Sequence, residues 1–174
     1  MSPLRCSAFL AMSLDGMIAR PDGRVDWLDP FAQEEHGFQA FFDSVDVLVV
    51  GRNTYDFVLG LGAWPYAGKR CVVLTHRPGP SLHGEEFLSG APAEVAARLS
   101  RTGALRAYVD GGAVVSAFLA AGLLDDLTVS LVPLVLGRGI RLFQGDLAGS
   151  PLALEACRSL PSGIVQVRYR TRPA

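Results

Sequence analysis

Short apolar runs closed by polar or glycine-rich stretches alternate along the chain with segments whose apolar residues recur every three or four positions. The runs "LRCSAFLAM" (residues 4–12), "DVLVV" (46–50), "RCVVLT" (70–75) and "RAYVD" (106–110) read as strands. Continuous apolar runs of this kind typically lie centrally in a sheet covered on both faces. Helical spacing runs through residues 31–45, where Phe31, Phe38, Phe41, Phe42 and Val45 recur on one side, and again through 92–99 and 113–124. Pro30 and Pro92 suit first-turn or pre-helix positions. Past Leu124 the pattern changes: "DLTVSLVPLVLG", "LALEACRSL" and "GIVQVRYRTR" read as strands joined by turns. The prediction is a single α/β domain over residues 1–174, its mainly parallel sheet finished by an antiparallel edge.

Composition narrows the function classes. A chain of 174 residues with 49% hydrophobic and 19% charged residues can bury a sizeable core. Sixteen basic residues against seventeen acidic ones leave a formal charge of −1, so nothing global draws the chain to nucleic acid or an anionic membrane. No apolar stretch reaches the length of a membrane span and the N-terminus lacks a secretory pattern, so a cytoplasmic location is expected. Cys6, Cys71 and Cys157 are odd in number and far apart, which favours buried small hydrophobes over a disulfide framework. His36, His76 and His83 show no metal-ligand spacing, and no metal site is expected.

Three loops follow predicted strands. In "VLVVGRNTYDF", Asn53 or Thr54 could cap a helix and leave N–H groups for a phosphate, with Arg52 adding charge. "VVLTHR" ends in Thr75, His76 and Arg77, a hydroxyl and two potential cations that suit a phosphate monoester. In "VDGGAVVSAFL", Gly111 and Gly112 stand where small residues permit close approach of a pyrophosphate, without a complete G-x-G-x-x-G. Singly, each reads more readily as an ordinary turn than as a ligand loop. Together they gather at strand carboxyl ends, where open α/β sheets bind ligands. Near the N-terminus, "SLDGMIA" raises a further question, because Asp15-Gly16 interrupts the first strand.

The ordered set "AMSLDGMIA", "DW", "VVGRNTYD", "VLTHR", "VDGG" and "LVPLVLGRGIRLF" resembles the dihydrofolate-reductase-like superfamily, in its branch containing the reductase domain of bacterial riboflavin biosynthesis. The resemblance spans about residues 6–143 and implies a three-layer α/β fold: a mixed, mostly parallel sheet of about eight strands with helices on both faces. It implies an NADPH-dependent reductase, similar to dihydrofolate reductase or to 5-amino-6-(5-phosphoribosylamino)uracil reductase. By resemblance, Ala11, Gly16 and Ile18 border the nicotinamide, and Gly51, Arg52, Asn53 and Thr54 hold the phosphate region. Leu74, Thr75, His76 and Arg77 meet the adenosine side with its 2′-phosphate, and Gly111, Gly112, Ala113 and Val114 lie beneath the pyrophosphate. Asp15-Gly16 is then where strand one breaks into a mobile loop over nicotinamide and substrate. Relatives often dimerise, which makes a homodimer the expected state, with "PLVLGRGIRLF" either at a subunit contact or folded on its own core.

Hydride transfer asks the protein mainly to align donor and acceptor, exclude water and deliver a proton. Asp15, Asp26 and Asp110 are candidate acids or substrate hydrogen-bonders, and Trp27 a candidate apolar wall. Two departures from the relatives stand out. Five positions after Trp27, where folate reductases carry an acid, stands Ala32; where the riboflavin reductase has a serine and a nearby basic residue, stand Val25 and "LDPFAQEE". Reduction of a pterin-like or pyrimidine-like ring is therefore expected without a named substrate, and the alternative is a non-catalytic NADP(H)-binding or regulatory protein.

Overall fold

In a computed structural model that describes residues 4–147 and 149–171, the apolar runs pair into one sheet and the amphipathic segments cover it. The chain runs through β1 (Arg5–Ser13), β2 (Met17–Ala19), a 3-10 helix (Asp26–Phe31), α1 (Phe38–Asp43), β3 (Val47–Gly51) and α2 (Arg52–Leu59). It continues through β4 (Arg70–Leu74), β5 (Glu86–Leu88), α3 (Pro92–Arg101), β6 (Arg106–Asp110) and α4 (Gly112–Ala120). β7 (Asp126–Val132), β8 (Ile140–Arg141), β9 (Ala153–Ser159) and β10 (Val165–Arg170) complete it. Eight strands lie in the order β5-β4-β3-β6-β1-β7-β10-β9, and β2 pairs with β8 in a separate ribbon. β1 is central and parallel to both neighbours, with Arg5 opposite Arg106 on β6 and Ser7 opposite Asp126 on β7. β10 runs antiparallel to β7 and β9, which makes the C-terminal edge.

Strand alternation divides the core in two. Ala8, Val47, Val49, Ala107 and Val109 pack with Val95 and Leu99 of α3 and with Val115 and Phe118 of α4. Phe9, Leu48, Val50, Cys71 and Tyr108 point the other way, toward Tyr55 and Val58 of α2 and the rings of Phe38, Phe41 and Phe42 on α1. Phe118 is wholly buried, and enclosing a side chain of its size contributes about 1.5–3 kcal/mol. Among the described residues, no helix is long and apolar enough to cross a membrane.

Several expectations are corrected. The helix read over 31–45 exists only from Phe38 to Asp43, because Gly37 at φ 83° starts it late and Pro30 sits inside the preceding 3-10 helix. Its phenylalanines still form the predicted apolar side. The strand read over 126–137 stops at Val132, ahead of Pro133, which has no N–H to give a ladder. Arg172, placed in the final predicted strand, lies outside the described residues. Cys6 and Cys71 are buried as expected, but Cys157 is exposed on β9, an edge strand exposed along its whole length. "PLVLGRGIRLF" folds back on its own chain: β8 pairs with β2, and Leu142 is fully buried beside α4 with its carbonyl accepting from Ser116.

Candidate functional site

The carboxyl ends of β1, β3, β4 and β6 open into one cleft of about 760 Å³. Two helices begin at its wall with at most one residue between strand and helix. α2 follows β3 directly and α4 starts after Gly111, and neither has a side-chain cap on its first turn. Uncapped first-turn N–H groups leave a partial positive charge facing outward. Asn53 and Thr54, expected as caps of α2, instead lie inside its first turn, with Gly51 in the cap position. Gly111 has φ 92°, and a Cβ there would stand 2.6 Å from Thr54 Oγ1. A Cβ on Gly112 would stand 2.5 Å from Gln144 Nε2 and 2.9 Å from the Leu142 carbonyl oxygen. Only glycines let β6 turn into α4 while α2 and the 141–144 segment close on it.

Most of the predicted site residues meet in this cleft. Ala11, Ile18, Gly51, Arg52, Asn53, Thr54, Leu74, Asp110, Gly111, Gly112, Ala113 and Val114 all line it. Thr75, His76 and Arg77 stand just beyond the end of β4, outside the lining set, folded by a hydrogen bond from the Arg77 N–H to Thr75 Oγ1 at 3.0 Å. Arg52 joins this turn to α2: its Nη1 donates to the Arg77 carbonyl at 2.8 Å and its Nε to Asp56 at 2.8 Å. Behind α2, buried Glu85 accepts from the Tyr55 hydroxyl, Leu82 N–H and His83 N–H. Burial alone would raise the Glu85 pKa, but these bonds outweigh it and hold the carboxylate at about 2. In the segment after α2, Tyr66 lines the cleft, whereas Trp64 stacks on His83 at 4.5 Å between ring centroids.

The candidate acids occupy three different environments. Asp110 ends β6 in the wall of the cleft, with Gly111 N–H donating to its Oδ1 at 2.8 Å. Desolvation raises its pKa to about 6, against the pull of that N–H and of the Tyr108 hydroxyl. Asp15 stands outside the lining set and closes the β1–β2 corner. It accepts from Ser13 Oγ at 2.7 Å, Leu136 N–H at 3.0 Å and Gly137 N–H at 2.7 Å, and these bonds, led by Ser13, hold it at about 2. Gly16 follows at φ 88°, its carbonyl accepting from Leu142 N–H at 3.1 Å. The loop expected to be mobile is thus tied to the β7–β8 segment. Asp26 is exposed and ion-paired with Arg20 at 2.7 Å, which lowers its pKa. Trp27 is buried against Val132 and Ile164, its Nε1 without a hydrogen-bond partner among the described residues.

Sequence reasoning missed Tyr108, His36, Phe57 and Ser130, which also line the cleft. Period-two alternation is the signal for Tyr108, since it shares a side of β6 with Asp110. Ser130 has no such signal, because its place follows from the β1–β7 register that sets it opposite Ala11.

With its strand order, antiparallel edge and helices on both faces, this is the dihydrofolate-reductase-like class of fold. It superimposes on dihydrofolate reductase from Enterococcus faecalis complexed with NADP(H) and RAB-propyl at a TM-score of 0.69 and 19% identity, covering 97% of each chain. Within that class the chain belongs to the family of the RibD C-terminal domain, whose model matches residues 6–166. It is 35% identical over 166 residues to the uncharacterised protein YwjB of Bacillus subtilis (strain 168), covering 92% of this chain and 94% of that one. A crystal structure from Shewanella sp. PV-4, described as that of a candidate riboflavin biosynthesis protein, matches at a TM-score of 0.88 and 32% identity over 97% of this chain and 100% of the other.

Proposed function

We propose that the chain is an NADPH-dependent reductase that passes hydride to a small heterocycle of pterin-like or pyrimidine-like shape. The observation that carries this reading is the pair of uncapped helix starts, at Gly51 and at Gly111-Gly112, opening into one cleft beside the apolar end of β1. Such a cleft fits a dinucleotide: main-chain donors for its phosphates, no room for side chains at the glycines, and an apolar stretch for its ring. Gly51 to Thr54 and Gly111 to Val114 would hold the phosphates. Leu74, Thr75, His76 and Arg77 would take the adenosine side with its 2′-phosphate, and Ala11, Gly16 and Ile18 would border the nicotinamide.

When bound, NADPH supplies the hydride. The chain's own residues exclude water, orient the acceptor and hold a proton. Asp110 is the carboxyl suited to that last task, because a pKa of about 6 leaves it protonated in a useful fraction near neutrality. Asp15 and Asp26 are held ionised, Asp15 as the anchor of the corner and Asp26 as the partner of Arg20. The same resemblance carries a homodimer, which sedimentation equilibrium tests.

Thermal unfolding with NADPH, NADH and no nucleotide tests the cofactor reading. Saturation at about 100 times the dissociation constant adds about 2.7 kcal/mol, a midpoint shift of roughly 5–10 °C. No shift with either nucleotide refutes it. A second reading, a non-catalytic NADP(H)-binding protein, is favoured by Ala32 at the position where folate reductases carry an acid. Saturation without oxidation of NADPH across a panel of heterocycles would select it.

A further inference from the structure

We infer that the substrate end of the cleft takes a flat, unphosphorylated ring compound, neutral or cationic, and rejects a phosphoribosyl-substituted one. The inference rests on the reductase reading above and concerns the part of the cleft away from the cofactor loops. That part is walled by rings and branched aliphatics, Leu28, Phe31, Val132 and Ile164 among them, which pack in one cluster. Flat aromatic ligands gain from such walls through apolar burial and ring packing.

Its charges point the same way. Among the described residues that line the whole cleft, Arg52 is the one permanent cation, and it stands at the start of α2 already bonded to Asp56 and to the Arg77 carbonyl. The carboxylates are Asp29, by the 3-10 helix, and Asp110. A phosphate monoester carries close to two negative charges at neutral pH and is held by arginine or lysine. Placed here, it would face Asp29 with no cation of its own.

Other arginines stand on the same side of the sheet, but in a separate cavity of about 430 Å³ beyond Phe9 and His36. Each has partners. Arg158 donates to Gln166 Oε1 and to the His36 carbonyl, both at 2.9 Å, and Arg106 donates to Ser44 Oγ at 2.7 Å. Arg168 lies 3.3 Å from Glu155 and 3.8 Å from Asp126. Gln166, bonded to Arg158, to the His36 carbonyl and to Ser130 Oγ, ties the two regions into one packed wall.

The experiment uses matched pairs that differ only by a phosphate: uridine and uridine 5′-phosphate, riboflavin and riboflavin 5′-phosphate. Each is titrated into NADPH-saturated protein by calorimetry, and ribose 5-phosphate alone is titrated while the Ser130 and Ile164 amides are followed by NMR. The expected result is binding of at least one unphosphorylated ring, about tenfold or more tighter than its phosphorylated partner, and no saturable amide shift with ribose 5-phosphate up to about 10 mM. Equal or tighter binding of a phosphorylated member overturns the inference, as does saturable binding of ribose 5-phosphate. So does failure of every ring to bind. The NADPH reading fails separately, if NADPH itself does not bind; the pairs are then titrated into the free protein and still read the preference of this end of the cleft.

Discussion

Replacing Asp110 with asparagine should stabilise the protein at neutral pH and leave it nearly unchanged in mild acid. The carboxyl has a pKa raised from 3.8 to about 6, chiefly by desolvation. A folded state that binds a proton more tightly than the unfolded chain loses stability as pH rises through that window, and the loss is complete above the folded pKa. A rise of about two units at ~1.4 kcal/mol per unit sets an upper figure near 3 kcal/mol. Asp110 keeps some contact with the cleft, which reduces the expected gain to about 1–3 kcal/mol. Asparagine preserves the shape and can still accept the Gly111 N–H, so the difference isolates the charge. Urea unfolding of both proteins at about pH 4 and about pH 7.5 reads it, with the gap opening as the native carboxyl ionises. A gap of the same size at both pH values, or a variant less stable at pH 7.5, would refute the electrostatic account of this residue. Turnover gives a second readout: if Asp110 holds the transferred proton, the stabilised variant is also the slow one.

Three other outcomes are expected. Gly112→Ala should cost about 1–3 kcal/mol through overpacking against the 141–144 segment and weaken NADPH binding, measured by unfolding and by titration; unchanged values for both would mean the close approach at α4 is not needed. Arg77→Ala should weaken NADPH by about tenfold or more while sparing NADH, since only the former carries a 2′-phosphate; equal losses in fluorescence titrations would remove Arg77 from that role. Asp15, held at about 2 by Ser13, Leu136 and Gly137, contributes stability that is present above pH 3.8 and lost as pH falls toward 2. Asp15→Asn should therefore lower stability at neutral pH and flatten the acid limb of the pH–stability curve, whereas a parallel curve would show that the corner does not depend on the charge.

The parts of the fold that sequence made legible are those set by local pattern. Val47 to Val50 and Cys71 to Val73 are continuous apolar runs and lie on strands flanked on both sides, and Pro92 opens α3 as its fixed φ favours. Where distant contacts decide, the pattern falls short. β2, β5 and β8 are two or three residues long, too short for any period, and exist because a partner strand lies beside them. The 31–45 segment carries helical spacing, yet Gly37 and Pro30 divide it, a local signal that outweighs the period. For the site, the glycine pair and the three strand ends were readable because each leaves a mark within a few residues. The holding of Asp15 by Leu136 and Gly137 joins positions more than a hundred residues apart, and so it left none.

The central place of β1 also governs when this chain can fold. Of the strands in this sheet β1 is made before the rest, and it pairs with two that follow it by about a hundred residues or more, β6 and β7. Until both have emerged, its apolar run has no lasting partner in the sheet. Long-range parallel pairing of this kind is slow and leaves strand edges open meanwhile. Production of the protein should accordingly depend on what shelters residues 5–13 during synthesis, and a chain stopped before β7 should be a substrate for chaperones rather than a stable fragment.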